Sequence, residues 1–137
     1  SLFKLQKRII RTITNSLWLD HTDPLFLSIN TLKIHDFYKL QLGSFMFQYH
    51  HKLLPNDLLD DNFFNIDTLS HNYDTRHAND VYIKNTNTVL AYNTTKTQGP
   101  LLWNQLQANI KDCPSLASFK SQMKKTLISC YNDDTST

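Results

Sequence analysis

The chain has 137 residues, with 14 Lys and Arg against 12 acidic residues, so its formal net charge is only +2. Apolar residues make up 40% and aromatic residues 12%, which excludes disorder over most of the length and indicates one domain, residues 1–137, with a hydrophobic core. Two cysteines exclude a disulfide framework, so we expect an intracellular protein of the nucleus or cytoplasm.

The first predicted element is an amphipathic helix over Leu2–Leu17. No acidic residue precedes Asp20, so this helix has a local positive charge that the total hides. We expect its apolar face to dock on the core and its basic face to point outward. Gln6 projects into the apolar side, where the sequence gives no reason for a polar residue. The apolar face comprises Leu2, Leu5, Ile9 and Ile13, and the basic face comprises Lys4, Lys7, Arg8 and Arg11.

The most apolar stretch predicts a long helix at about residues 36–54. Apolar side chains fall on two opposite faces of this helix, which is typical of a helix at the centre of a bundle. We expect Asp36 to cap its start and Pro55 to stop it. The side chains expected to be buried on its opposite sides include Phe45 and Phe47.

Beyond the central helix, two β-prone runs, VYIK and VLAY, predict a small β-hairpin at about residues 81–92. Gly99 and Pro100 are expected to start a short helix, and Ser115 to cap a last helix. Residues 132–137 are expected to be a frayed tail. The predicted fold class is therefore mainly α, a helical bundle around a central apolar helix, with one small β-hairpin.

Six short sequence segments, which we call phrases, are informative when they are taken together and in their order along the chain. They are KLQKRIIRTIT, HTDPLF, LKIHDFYKLQLGSFMFQYHHKLLP, SHNYDTR, QGPLLWNQL and SLASFKSQMKKTL. Together they resemble the region that follows the polymerase core in reverse transcriptases of non-LTR (LINE-type, Jockey-like) retrotransposons. The resemblance spans about Leu5 to Leu127. It implies that the chain is the C-terminal fragment of a longer RNA-directed DNA polymerase, which copies element RNA into nicked chromosomal DNA.

The chain lacks the catalytic signature of that family, a Tyr-x-Asp-Asp turn that presents metal-binding aspartates. We therefore expect no catalysis by this chain alone. A further family phrase, Tyr-Asn-Thr-Arg, is matched at residues 73–76. In this match Asp74 replaces the usual Asn, and Arg76 is the last residue.

Five residues are candidates for contact with nucleic acid. A row of cations without acids suits phosphates, which attract Lys and Arg regardless of base sequence, and the alternative is a solvated charged face. Arg76 can grip a phosphate through its planar fork, or it can brace its own loop. Trp103 can stack a base, but its helical spacing beside other apolar residues favours the core. The five candidates are Lys4, Lys7, Arg8, Arg11 and Arg76.

The six histidines do not fit a metal site, because His50 and His51 point apart on a helix and no Cys or His spacing matches a zinc motif. No nucleophile elbow or glycine-rich loop is present. We expect no cofactor, no metal and no membrane partner. The first helix is able to lie on an anionic membrane, but docking of its apolar face on the core is the better explanation.

The sequence thus predicts an accessory domain that helps to hold RNA or DNA, as template, primer or target, near an upstream polymerase site. The expected partners are RNA and DNA, bound weakly and without sequence preference, and the upstream polymerase domain of the same polypeptide. The alternative is a structural helical cap, or a protein-interaction module, that has no contact with nucleic acid.

Overall fold

The computed structural model of the chain describes residues 1–58, 81, 83 and 85–133. This part of the chain is mainly helical and contains no β-strand, which confirms the mainly-α prediction. It divides into a first unit, residues 1–41 with 117–137, and a second unit, residues 42–116. The helices are α1 (Leu2–Ile13), α2 (Asp23–Ser28), α3 (Ile34–His50), α4 (Val89–Tyr92), α5 (Thr95–Gln105), α6 (Ala108–Lys111) and α7 (Leu116–Asp133), with a 3₁₀ turn at Asn56–Leu58.

Helix α3 is the apolar helix expected from the sequence, but it ends at His50 rather than near residue 54. A C-terminal cap closes it, because the Leu53 N–H donates to the Gln48 carbonyl at 2.8 Å while Lys52 adopts a φ of 55°. Phe47 is fully buried, as expected, whereas Phe45 is only half-buried. The place of α3 at the centre of a bundle stays a prediction.

The first turn of α3 is capped by a side chain of α1. The Ile34 N–H donates to Gln6 Oε1, and Gln6 Nε2 donates to the Leu32 carbonyl, both at 2.9 Å. The first N–H groups of a helix have no partner inside the helix, so an amide that supplies one is stabilising. Gln6, which the sequence left unexplained, therefore fixes α1 against the start of α3.

A second cap on the same turn comes from α7. The Tyr131 hydroxyl donates to Asp36 Oδ2 at 2.6 Å and accepts from the Lys33 N–H at 3.0 Å. Asp36 is buried within the first turn of α3 and also pairs with Lys39 at 3.1 Å, so it is not the N-cap that the sequence suggested. Burial, and then the hydrogen bond to Asp36, raise the pKa of Tyr131. The phenol therefore stays a neutral donor at physiological pH.

Helix α2 is joined to the start of α3 by an ion pair. Asp23 Oδ1 lies 3.0 Å from Lys33 Nζ, and both side chains are mostly shielded from solvent. The same ammonium lies 4.3 Å from the centre of the Tyr131 ring, within the range of a cation–π contact. We call the contacts of Gln6, Asp23, Lys33, Asp36 and Tyr131 the α3 clamp. The buried apolar residues of the first unit are Ile10, Phe26, Leu32, Leu40, Phe119, Met123 and Tyr131.

The predicted β-hairpin at residues 81–92 is wrong in its second half. Helix α4 occupies the run VLAY, and its first turn is capped by Thr88 Oγ1, which accepts from the Ala91 N–H at 3.2 Å. The cap supplies a partner that favours a helical turn over a strand, in spite of the β-prone residues. In the first half of the hairpin, Tyr82 and Lys84 lie outside the described residues.

Val81, also in the first half of that hairpin, is bonded by a side chain instead of a strand. Its N–H donates to Asn104 Oδ1, and its carbonyl accepts from Asn104 Nδ2, each at 2.9 Å. A side-chain amide offers one acceptor and N–H donors, as a neighbouring strand does. Asn104 of α5 therefore satisfies the backbone groups that a hairpin partner would have satisfied.

Helix α5 begins at Thr95, so Pro100 lies in its interior and not at its start as expected. Proline removes one hydrogen bond of the helix, and Gly99 before it has no Cβ to clash with the proline ring. Both residues are buried with Trp103, so packing offsets the lost bond. The buried apolar residues of the second unit are Leu42, Met46, Phe47, Tyr49, Trp103, Ile110 and Cys113.

The segment predicted to be a frayed tail, residues 132–137, begins inside a helix. Helix α7 continues to Asp133, so the first two residues of that segment are helical. Residues 134–137 lie outside the described part of the chain.

Tyr131→Phe removes one hydroxyl from the α3 clamp and leaves Asp36 and the Lys33 N–H short of a partner. We expect the free energy of unfolding at pH 7, measured with urea, to fall by about 1–3 kcal/mol. The matched control is Tyr38→Phe, because Tyr38 of α3 is exposed and its substitution should change stability by less than about 0.5 kcal/mol. Equal effects of the two substitutions would contradict the role of the clamp.

The raised pKa of Tyr131 also predicts a dependence of stability on pH. An unfolded tyrosine loses its proton near pH 10, about where model peptides do, whereas folded Tyr131 keeps its proton to higher pH. The stabilisation from this group is therefore fully present below about pH 10 and is lost as the pH rises further. Above about pH 10, unfolding free energies should fall more steeply for the native chain than for Tyr131→Phe. Parallel pH curves for the two proteins would show that the phenol keeps its ordinary pKa.

Candidate nucleic-acid interface

The cations of the predicted basic face line a groove along one side of α1. The groove has a volume of about 460 Å³, and none of the residues that line it is acidic. We call it the α1 groove. Its lining residues are Ser1, Lys4, Leu5, Lys7, Arg8, Arg11 and Trp18.

The end of α1 places Trp18 beside the basic residues. Asn15 adopts a φ of 50°, a left-handed conformation that Asn tolerates better than most residues, and the chain turns there. A tight turn follows: the Asp20 N–H donates to the Leu17 carbonyl at 3.1 Å, and the Leu17 N–H donates to Asp20 Oδ2 at 2.7 Å. Trp18 lies in this turn with 67% of its surface exposed.

Arg11 braces the turn against the helix. Its Nε and Nη2 donate to the Asp20 carbonyl at 3.3 and 3.0 Å, and the side chain is half-buried. The guanidinium carbon of Arg11 lies 5.7 Å from the Trp18 ring centre, and that of Arg8 lies 5.9 Å away. Both distances fall within the range of about 6 Å for cation–π attraction. The indole is therefore held in place by a bonded turn and two cations.

The four predicted cations differ in solvent exposure and in the contacts that their side chains make. Lys4 and Arg8 are exposed, as expected for an outward basic face. Arg11 is committed to the turn, and Lys7 is half-buried with its Nζ 4.5 Å from the Phe3 ring centre. In the described part of the chain none of the four pairs with a carboxylate, since the ion pairs there join Lys33 to Asp23 and Lys39 to Asp36. Lys4 and Arg8 are therefore the two cations most accessible to a phosphate.

The expectation that the apolar face of α1 docks on the core is wrong. The helix packs instead through a neighbouring face, on which Ile10 is buried, Gln6 joins the α3 clamp and Phe3 lies 5.2 Å from the His35 ring. The bonds of Gln6 decide this orientation, because they fix which face meets α3. Helix α1 therefore has a docked face, a basic face and an exposed apolar stripe. The apolar stripe comprises Leu2, Leu5, Ile9 and Ile13, which are 52–64% exposed.

The remaining candidates are Arg76, Trp103 and the histidines. Arg76 falls outside the described residues. Trp103 is buried, as its helical spacing favoured, and so offers no surface to a base. The rings of His50 and His51 are 5.4 Å apart and nearly perpendicular. Across residues 1–58, 81, 83 and 85–133, no three His, Cys or Asp side chains gather closely enough to bind a metal, and no helix is long and apolar enough to cross a membrane.

Trp18 is the residue of the α1 groove that sequence reasoning missed. It lies in a short turn, where helical periodicity carries no information. The available signal was a tryptophan only a few residues beyond a row of cations, a combination that interleaves aromatic and basic chemistry. The pattern does not reveal whether such a tryptophan is buried, because that depends on Asn15 and on the turn that follows it.

The chain matches no protein-family model, no curated protein and no solved structure. The chemistry of the α1 groove is therefore the basis for a functional hypothesis. Exposed Lys and Arg bind phosphate through charge and N–H donors, and an exposed indole offers an apolar face to a planar ring.

Arg11→Gln should destabilise the chain, because it removes the two hydrogen bonds that brace the turn. We expect the free energy of unfolding, measured by urea denaturation, to fall by about 1–2 kcal/mol. Arg8→Gln is the matched control, since it removes the same charge from an exposed position and should cost less than about 0.5 kcal/mol. The bracing role of Arg11 would be refuted if Arg8→Gln destabilised the chain as much.

Proposed function

We propose that this chain is an accessory domain of a non-LTR retrotransposon reverse transcriptase, which holds RNA or DNA near a polymerase site of the same polypeptide. The observation that supports the proposal best is the α1 groove, where cations gather without an acidic residue among its lining. The domain binds and does not catalyse, and its place of action is inside the cell, in the nucleus or the cytoplasm.

The role of the groove follows from the chemistry of its cations. Lys4 and Arg8 are exposed and attract phosphates irrespective of base sequence, with release of the counterions around the nucleic acid. Lys7 and Arg11 add positive potential, although their side chains are partly committed to Phe3 and to the turn. Arg76 is a further proposed contact with nucleic acid, on the basis of the family phrase that it completes. Because few charges are free, binding is weak, and its affinity depends only modestly on salt concentration, since the salt slope is proportional to the number of phosphates neutralised.

The exposed apolar stripe of α1 favours a second candidate, a protein-interaction module. Contiguous apolar surface at helical spacing is typical of a face that another protein covers. By the resemblance, its occupant would be the upstream polymerase domain. The stripe and the cations of the α1 groove project from different faces of α1, with Leu5 at the edge of both, so this candidate predicts binding to protein that is independent of the groove cations.

The double substitution Lys4→Gln with Arg8→Gln tests the nucleic-acid proposal. Each phosphate neutralised contributes about 0.7–0.9 to the slope of log affinity against log salt, so the slope should fall by about 1.4–1.8. Fluorescence anisotropy of a labelled single strand, titrated at several salt concentrations, measures this slope. The fold should be retained, because both side chains are exposed and the contact of Arg8 with the Trp18 ring contributes only about 0.5–1 kcal/mol.

The matched control is Lys120→Gln with Lys125→Gln, which removes the same charge from exposed positions of α7. The proposal expects a smaller change of slope for this control than for the groove variant. If the slope of log affinity against log salt falls equally in the two double variants, binding depends on net charge and not on the α1 groove. If neither they nor the native chain bind nucleic acid, the protein-interaction module becomes the better account.

A further inference from the structure

We propose that the α1 groove selects single-stranded nucleic acid, with one unpaired base stacked on Trp18 and the adjoining phosphates on Lys4 and Arg8. This inference rests on the proposed function and names the substrate class of the same site. It predicts that the groove binds unpaired bases in preference to a duplex. A groove that only attracted phosphates would bind duplex and single strand alike.

The exposure of Trp18 is the first observation behind this proposal. Tryptophan is mostly buried in folded proteins, as Trp103 is here with 1% of its surface exposed, yet Trp18 leaves 67% to solvent. The side chain is not on a loose terminus. The two bonds that close the turn and the two from Arg11 to Asp20 fix its backbone. An apolar platform that is already ordered loses little conformational freedom when a ligand covers it.

The cations that surround the Trp18 ring are the second observation. The guanidinium carbons of Arg8 and Arg11 lie 5.9 and 5.7 Å from the indole centre, and Lys4 lines the same groove. A nucleotide presents a planar ring and a phosphate a short distance apart, so it can use the indole and a neighbouring cation together. The groove volume of about 460 Å³ falls within the range of about 300–1,000 Å³ typical of small-ligand sites.

The pairing state of the base decides access to the platform. In a duplex the base faces are covered by their stacked neighbours, whereas unpaired bases can splay out and stack on an aromatic side chain. In this proposal the Lys and Arg side chains of the lining contact phosphates, and the indole contacts the flat face that every base has, so base edges are not read. The groove therefore discriminates by strandedness and not by base sequence.

Trp18→Ala tests the inference when the full chain is titrated with oligo(dT) and with a duplex, each of about 10 nucleotides or base pairs, within the range of known single-strand sites. Affinity for the single strand should fall by about 5- to 150-fold, as expected for one lost base stack. Affinity for duplex should change by less than about 2-fold, because only phosphates hold the duplex. Trp18→Tyr keeps a stacking ring and should retain most single-strand affinity.

Leu19→Ala is the matched control, because Leu19 is the neighbouring residue of the same turn, is 90% exposed and does not line the groove. It should leave both affinities unchanged. Tryptophan fluorescence adds a direct reading: oligo(dT) should quench the native protein and leave Trp18→Tyr, whose one tryptophan is buried Trp103, unquenched. This comparison decides the matter even if Trp18→Ala does not fold.

The outcomes separate this inference from the proposed function. Stacking is refuted if Trp18→Ala binds single strands as tightly as the native chain does, or if its affinities for single strand and duplex fall equally. In either case the salt slope attributed to Lys4 and Arg8 still supports phosphate binding. If the native chain binds neither nucleic acid but binds vesicles containing phosphatidylserine, both proposals fail, and the apolar stripe with its basic flank is an interfacial membrane helix.

Discussion

The structure of the first unit depends on how the first turn of α3 obtains its hydrogen bonds. The N–H groups of a helix start must find partners outside the helix, and here two come from distant side chains, Gln6 Oε1 and the Tyr131 hydroxyl. These bonds join residues that are 28 and 98 positions apart in the chain. The buried carboxylate of Asp36 is acceptable in the same turn because it is bonded by the phenol and paired with Lys39. The α3 clamp thus joins α1, α3 and α7, with α2 added through Asp23.

This constraint also determines what α1 presents to solvent. Since Gln6 points at the start of α3, the face that holds Ile10 is turned inward, and the strip of Leu2, Leu5, Ile9 and Ile13 is left outside. The basic side is left outside as well, where the turn after Asn15 brings Trp18 against it. A hydrogen-bonding requirement in the core is therefore the reason that the α1 groove exists.

Helical periodicity was enough to predict α1, α3 and α7, because apolar residues that recur every three to four positions indicate a helix. It could not predict the docked face of α1, which depends on one polar residue and its distant partners. At residues 81–92 it was β propensity that misled, because Thr88 and Asn104 supply hydrogen bonds that override it. The cations of the groove were visible as a pattern, but Trp18 was not, since its place depends on a left-handed Asn15 and a closed turn. Local side-chain bonds, and not the apolar pattern, account for each of these misses.

Photo-cross-linking of a single-stranded oligonucleotide to the full chain, followed by mass spectrometry of the peptides, tests the central claim most directly. We expect the cross-links to concentrate within residues 1–20, with Trp18 as the principal site, because base stacking brings a reactive ring into contact with the indole. Cross-links found mainly on α7 or in the second unit, with residues 1–20 unmodified, would contradict the assignment of nucleic-acid binding to the α1 groove.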